Sequence, residues 1–260
     1  MQAERQGWAS RLGGPWLARL AALIVLLVAW EAFARLLARP ILPPATEVIA
    51  ALTREVGQDL AGHAAASLFR VLASIGLAVV TAAPAGLALG QSRRLNRLLA
   101  PFIYLLYPVP KVVLVPILLL LLGVGDLPKI VIVTLILFFQ ILVLVRDAAA
   151  AIRPELLLSV RSLGAGRRAL FRFVYLPAST PAVLTAVRQS IGTAIAVLYV
   201  AELFATRHGL GYYIYLQGST LFNYPAMYAG VIAMSLLGVG LYGAVDAAER
   251  RLIGDTNTSS

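Results

Sequence analysis

Residues Lys129–Thr180 read KIVIVTLILFFQILVLV RDAAAAIRPELLLSVRSLGAGRRALFRFVYLPAST, and the change of character at Arg146 decides what kind of molecule this is. Lys129–Val145 carries no charge after its first residue. A hydrocarbon core of about 30 Å is crossed by about 20 mostly apolar helical residues, so this stretch with its flanks predicts a membrane-spanning helix. Arg146–Arg172 then holds six arginines and is punctuated by Pro154 and Gly164, which makes it too basic and too broken to cross. Pro154 suits the first turn of a helix, Glu155 suits the positive end of its dipole, and Gly164 suits its C-terminal stop. A second short helix is expected from about Gly166 to Tyr175, ended by Leu176-Pro177. On it Arg168 and Arg172 stack four residues apart, and Phe171, Val174 and Tyr175 form an adjoining apolar ridge. The stretch therefore predicts a spanning helix followed by a small helix-turn-helix knob, suited either to a partner's groove or to the lipid headgroups.

Working outward, five further runs of the same kind occur: Leu17–Leu37, Ser67–Leu89, Ala100–Val124 (interrupted by Pro108, Pro110 and Pro116), Pro181–Phe204 and Pro225–Ala244. The chain of 260 residues is 60% apolar and 13% charged, with a mean hydropathy of +0.85. Soluble domains use about 45–50% apolar and about 25% charged residues, so the class is an all-α integral membrane protein with six spans. The expected organisation is an N-terminal segment 1–16, a transmembrane domain 17–244 containing the loop 146–180, and a C-terminal tail 245–260.

Six spans place both termini on one side. Fourteen of the 22 lysines and arginines then fall on that side, five (Arg35, Arg39, Arg54, Lys129 and Arg207) on the other, and Arg70, Lys111 and Arg188 within spans. The positive-inside bias puts the termini in the cytoplasm. The net charge of +10 is thus explained by topology, and no nucleic-acid partner is expected. The first span also resembles a signal peptide with a cleavage site near Ala32-Phe33-Ala34; an uncleaved anchor is the expectation, because Glu31 adjoins that site. Between the first two spans, Thr46 is expected to cap an amphipathic helix with Val48, Ile49, Leu52 and Val56 on its apolar face, lying at the interface or serving as a solvated connector.

The knob carries a specific pattern: Leu158-Ser159-Val160, three residues, Gly164, nine residues, then Val174-Tyr175-Leu176-Pro177. It resembles the loop E-A-A-x3-G-x9-I-x-L-P of the membrane subunits of binding-protein-dependent ABC importers, with Leu158 where that family has glutamate and Glu155 one turn earlier. ILPPATEVI (Ile41–Ile49), SLFRVLASIGLA (Ser67–Ala78), YPVPKVVLVPILLLLLGVGDLPKI (Tyr107–Ile130), FFQILV (Phe138–Val143), SLGAGRRALFRFVYLPASTPAVLTAVR (Ser162–Arg188) and AELFATRHGLGYYI (Ala201–Ile214) are similar to the branch importing aliphatic sulfonates, taurine, nitrate and thiamine precursors. The resemblance implies a type I importer permease fold in the bacterial inner membrane. It also implies a homodimer in lipid, two ATP-binding subunits, and a periplasmic or lipid-anchored solute-binding protein. In it the loop residues Pro154, Glu155, Ser159, Arg161, Ser162, Leu163, Gly164, Ala165, Arg168, Phe171, Leu176 and Pro177 would meet the ATPase.

The sequence holds no phosphate-cradling G-x-x-x-x-G-K-[ST] loop, and neither Lys111 nor Lys129 follows a glycine-rich turn. Mg-ATP is therefore expected on a partner subunit, and no cofactor on this chain. With no cysteine and only His63 and His208, neither a metal site nor a catalytic centre is expected. A secondary transporter is the competing class, though its characteristic internal repeat is not evident.

Polar side chains within spans are functional candidates, because lipid burial is costly for them. Glu202 reads as a lining of the cargo path or as the partner of a cation such as Arg207. Arg188 is close enough to the inner surface to snorkel, with an anion-path role as the alternative. Lys111 sits either mid-membrane or beside a break at Tyr104–Pro110 that would leave a short span from Val112 to Val124. Gln140, in the fourth span, is with Glu202, Arg188 and Lys111 a candidate for the substrate path. Gly86-x3-Gly90 permits close helix contact, and Tyr212, Tyr213 and Tyr215 resemble an interfacial aromatic belt.

Overall fold

The computed structural model describes residues 14–254, and no strand occurs among them. The helices are α1 (Gly14–Leu37), α2 (Ala45–Val56), α3 (Leu60–Gln91), α4 (Arg93–Leu106), α5 (Val115–Leu122), α6 (Leu127–Ala150), α7 (Pro154–Ser162), α8 (Arg167–Leu170), α9 (Leu176–Glu202), α10 (Leu210–Tyr215) and α11 (Tyr224–Gly254). Among the described residues five helices are long and apolar enough to cross a membrane, and the bent pair Arg93–Leu106 with Lys111–Leu122 brings the number to six where the pair is counted as one span. Of the predicted terminal segments, residues 14–16 open α1, α11 carries the tail to Gly254, and 1–13 and 255–260 lie outside the described residues.

The chain divides into two compact units. The first takes the chain up to Ala61 together with Ile214–Val231. Within it Glu31 of α1 accepts hydrogen bonds from the backbone N–H and the hydroxyl of Thr46, both at 3.1 Å. Thr46 was expected to cap α2, but Pro44 occupies the N-cap position and the capping carboxylate arrives from α1. A proline N-cap has no side-chain acceptor to offer, so the free amides of the first turn take one from outside. The buried face of α2 is Ala45, Val48 and Ala51, while Ile49 and Val56 point outward, one helical position away from the predicted face.

The second unit is Gly62–Tyr213 with Ile232–Ser260. Its core is built from α3 (Val71, Ala78, Ala82, Leu87), α6 (Ile132, Leu137, Ile141, Val145) and α9 (Ala186, Ala194, Leu198, Ala201). Lipid supplies little hydrophobic drive for helix association, so close packing through small residues matters more than in water. Gly86 and Gly90 act in this way: a Cβ on Gly86 would lie 2.8 Å from the Leu142 carbonyl, and one on Gly90 would lie 2.6 Å from Ala149 Cβ. The opposite faces carry large bare apolar side chains such as Leu120, 87% exposed, as a lipid-facing surface requires.

The third span departs from a straight helix. α4 and the Lys111–Leu122 piece meet at 77°. Pro108 and Pro110 lack the amides that would continue α4, and the chain restarts through a 3-10 turn at Lys111–Leu114. The break falls where the second placement of Lys111 required it.

The loop expected at 146–180 is narrower than predicted. α6 continues to Ala150, and from Arg167 helical structure runs without a stop through Leu176-Pro177 to Glu202. The Leu-Pro pair does not end the second short helix. A π turn at Phe171–Tyr175 precedes it, in which Leu176 N–H donates to the Phe171 carbonyl. The wider i→i+5 register absorbs the missing proline amide and keeps the axis continuous.

Candidate functional sites

The knob is α7, the Leu163–Gly166 turn, α8 and the π turn. Gly164 holds φ +81° with open space around its Cβ position, so its glycine is required by backbone conformation and not by crowding. The knob has a core of its own: Leu170, Val174 and Tyr175 are buried against Ile152, Leu157, Val160 and Ala165. The predicted ridge is thereby corrected. Val174 and Tyr175 face inward, because the π turn rotates them toward α7, and of the three only Phe171 is exposed. The outward apolar set is Leu156, Leu158, Leu163, Phe171 and Phe173, with Leu163 85% exposed. Glu155, Ser159, Arg161, Ser162 and Arg168 are also exposed, Ala165 is half-buried, and Leu176 and Pro177 lie beyond the π turn at the start of α9.

Lys111 and Gln140, far apart in sequence, share a wall. A cavity of about 280 Å³ is lined by Tyr107, Lys111, Phe139, Gln140 and Val197 among others. A second of about 280 Å³ shares Tyr107 and Gln140 and adds Gln189 and Ser190. Lys111 Nζ donates to the carbonyls of Leu106, Tyr107 and Val109 at 2.8, 3.0 and 3.3 Å, closing the end of α4, and stands 4.5 Å from the Phe139 ring centroid. It is 8% exposed and has no acidic partner among the described residues. Gln140 donates to Thr193 Oγ1 at 3.4 Å, while its own buried Oε1 receives no hydrogen bond. The wall thus presents the positive charge of Lys111, whose three N–H groups are already held by carbonyls, and one free acceptor, Gln140 Oε1.

Glu202 is fully buried and does not pair with Arg207. Arg70 Nη1 donates to its Oε1 at 2.5 Å, the Ser67 hydroxyl donates at 2.8 Å, and Gly211 N–H donates to Oε2 at 2.8 Å. Arg70 also donates through Nε to Asp126 at 2.7 Å and through Nη1 to the His208 carbonyl at 2.7 Å. Leu210 N–H donates to Ser67 Oγ, and Gly209 N–H to His63 Nδ1. Lys129 lies within electrostatic reach of Arg70, Asp126 and Glu202 and donates to the Gly125 carbonyl at 2.7 Å. Two cations thus balance two carboxylates in a node joining α3, the start of α6, the end of α9 and the Gly209–Gly211 turn. Gly209 has φ +134°, and a Cβ there would overlap the Glu202 carboxylate. Tyr213 is buried and stacks near His63 at 5.3 Å, so it is a packing residue of this turn and not part of an interfacial belt. The node was missed in the sequence. The available signal was two ionisable residues of opposite sign at the same end of two spans, each needing a partner.

Arg188 is paired with acidic side chains of α11. It binds Glu249 at 2.8 Å and Asp246 at 3.4 Å on α11. No group of three or more histidine or acidic residues placed to hold a metal occurs among the described residues.

Five to six helices suited to cross a membrane, one bent pair among them, and a helix-glycine-helix loop before α9 are the elements of a transport permease. The chain belongs to the family of binding-protein-dependent transport system inner membrane components, matched over residues 74–254. It is 30% identical over 260 residues to the taurine transport system permease protein TauC of Escherichia coli, covering 97% of this chain and 94% of that one. It is 31% identical to a probable ABC transporter permease protein of Brucella melitensis, covering 82% of this chain and 86% of the relative. The formylaminopyrimidine transport permease protein ThiX of Halalkalibacterium halodurans is 27% identical over 88% of this chain and 92% of its own length. The fold is that of the inward-facing MetNI methionine ABC transporter, with a TM-score of 0.65 over 74% of this chain and 95% of that one at 21% identity. The chain is therefore a multi-pass inner-membrane permease subunit of an ABC importer, a class that works with ATPase and binding-protein partners. The family membership sets aside the secondary-transporter alternative.

Proposed function

We propose that this subunit forms, as a homodimer, the path for a small oxyanion such as a sulfonate, and that its knob docks on the ATPase. The knob carries the reading. It is a rigid pair of helices with its own core, an exposed leucine at its tip, and helical continuity into α9. Helix-in-groove docking of such a unit transmits displacement without dissipating it in a flexible loop. Termini and knob face the cytoplasm, where two ATPase subunits hold Mg-ATP, and an external binding protein delivers cargo to the opposite face. Leu158, in the place of the family glutamate, makes the contact apolar at that position.

Support for an anionic cargo comes from Lys111, a cation without a carboxylate beside the Gln140 cavities. The relatives named for taurine and aliphatic sulfonates agree with that charge. Co-expression with the cognate ATPase should yield a complex that Gly164→Asp and Arg168→Glu weaken. A stable complex and normal uptake in both variants would overturn the docking assignment. In proteoliposomes, uptake of taurine or alkanesulfonates should require ATP and the binding protein, and failure of every sulfonate would remove the cargo assignment.

A further inference from the structure

At the knob's end of the second unit, a cavity of about 740 Å³ opens between the α3–α4 junction and the knob. Gln91, Ser92, Arg93 and Arg94 line one side, and Arg161 of α7 and Tyr175 of the π turn line the other. Three guanidinium groups border it and no carboxylate does. None of the three arginines has an acidic partner among the described residues. The three arginines are exposed side chains around one concavity, and their unpaired charges sum there to a positive potential that attracts anions.

Two further features point the same way. The opening amides of α4, capped at Ser92, belong to a helix of 14 residues and present their positive end here. Tyr175 is 8% exposed, and its hydroxyl has no hydrogen-bond partner among the described residues. A phenol without a protein partner at the wall of a cationic cavity is a donor available to a ligand oxygen.

We propose that this cavity binds a phosphate-bearing ligand with two or more negative charges. Arginine forks match phosphate oxygens in pairs, and a singly charged sulfonate would leave two guanidinium groups unmatched. The volume lies in the range of about 300–1,000 Å³ typical of small-molecule sites, well beyond a single ion. The site is separate from the Lys111–Gln140 cavities, and an occupant would join Arg161 on the knob to Arg93 and Arg94 on α4. Its placement in the cytoplasm rests on the topology proposed above. A soluble phosphorylated metabolite and the two-phosphate headgroup of cardiolipin present the same chemistry.

The test uses the full-length permease, with ATPase docking scored separately by copurification. Inorganic pyrophosphate binding is measured by equilibrium dialysis in detergent. Retention of cardiolipin, which carries two phosphates, is measured by native mass spectrometry after reconstitution in phosphatidylcholine with or without that lipid. The wild type should bind in at least one arm, and the arm that responds names the source. The Arg93→Gln/Arg94→Gln/Arg161→Gln variant should weaken it about tenfold or more, the scale of losing charge-assisted hydrogen bonds. Tyr175→Phe keeps charge and packing and should weaken it by less, while Arg153→Gln, on the knob but outside the cavity, should not. The proposal is overturned if the wild type binds in neither arm, if Arg153→Gln loses as much as the triple variant, or if the triple variant loses only the ATPase. Phosphate binding by a permease that never copurifies with the ATPase would instead overturn the docking assignment and leave this site standing.

Discussion

Arg70 and Glu202, 132 residues apart in the chain, form a 2.5 Å ion pair with almost no exposure to solvent on either side. Neither charge is stable there alone. The pair is satisfied by Ser67, Asp126, the His208 carbonyl and the Gly211 amide, so that the Gly209–Gly211 turn is fastened to two spanning helices through one carboxylate.

Glu202→Ala should therefore cost about 3–5 kcal/mol, the penalty of leaving a buried guanidinium without its counter-charge. The Arg70→Met/Glu202→Leu double variant removes both charges and should be less destabilised than Glu202→Ala. Thermal unfolding of the detergent-solubilised protein measures this. A double variant that is worse than either single one would show that the node is held by its geometry and not by charge balance.

Gly90→Val should prevent stable packing of α3 on α6, because even a Cβ meets Ala149 Cβ and the Arg146 carbonyl at 2.6 Å. A backbone carbonyl cannot move aside as a flexible side chain can. Gly76, on the same helix, has open space around its Cβ position, and Gly76→Ala should be neutral or stabilising by up to about 1 kcal/mol through helix propensity. Folded yield in the membrane fraction compares the two.

Gln140→Leu should leave stability unchanged or raise it by about 1 kcal/mol, since it removes a buried oxygen that receives no hydrogen bond. Transport should nevertheless fall. Lys111→Met removes a positive charge from the cavity wall and should lower uptake of an anionic cargo by about tenfold, with the unfolding temperature followed because the variant also frees three carbonyls. Basal ATP hydrolysis in the reconstituted transporter serves as the control. Unchanged uptake in both variants would detach these cavities from the path.

Leu163→Asp should abolish ATPase copurification while leaving the unfolding temperature of the permease within error. The side chain is almost wholly exposed and takes no part in the knob's core. A surface substitution of this kind usually changes stability by about 0.5 kcal/mol or less, so a large stability loss would mean that the tip packs internally.

The six spans, the broken third span and the placement of Gly164 were legible in the sequence because each follows from local rules: length against bilayer thickness, proline's missing amide, and glycine's access to positive φ. The Arg70–Glu202 pairing was not, because nothing in either segment specifies which opposite charge a buried ion meets across the bundle. The interior orientation of Val174 and Tyr175 escaped for a different reason. A 3.6-residue period predicts a ridge, and one π turn shifts every later side chain around the axis. The same turn explains why Leu176-Pro177, read as a terminus, is a passage. The capping of α2 by Glu31 was hidden because the acceptor comes from a different helix.

That passage has a mechanical consequence. From Arg167 to Glu202 the chain is a single rod of 36 residues, roughly 54 Å at 1.5 Å per residue. One end emerges from the knob and the other terminates in the buried carboxylate that fastens the Gly209–Gly211 turn. On the docking proposed above, a push at the first end would arrive at the second as a change in tension on that fastening.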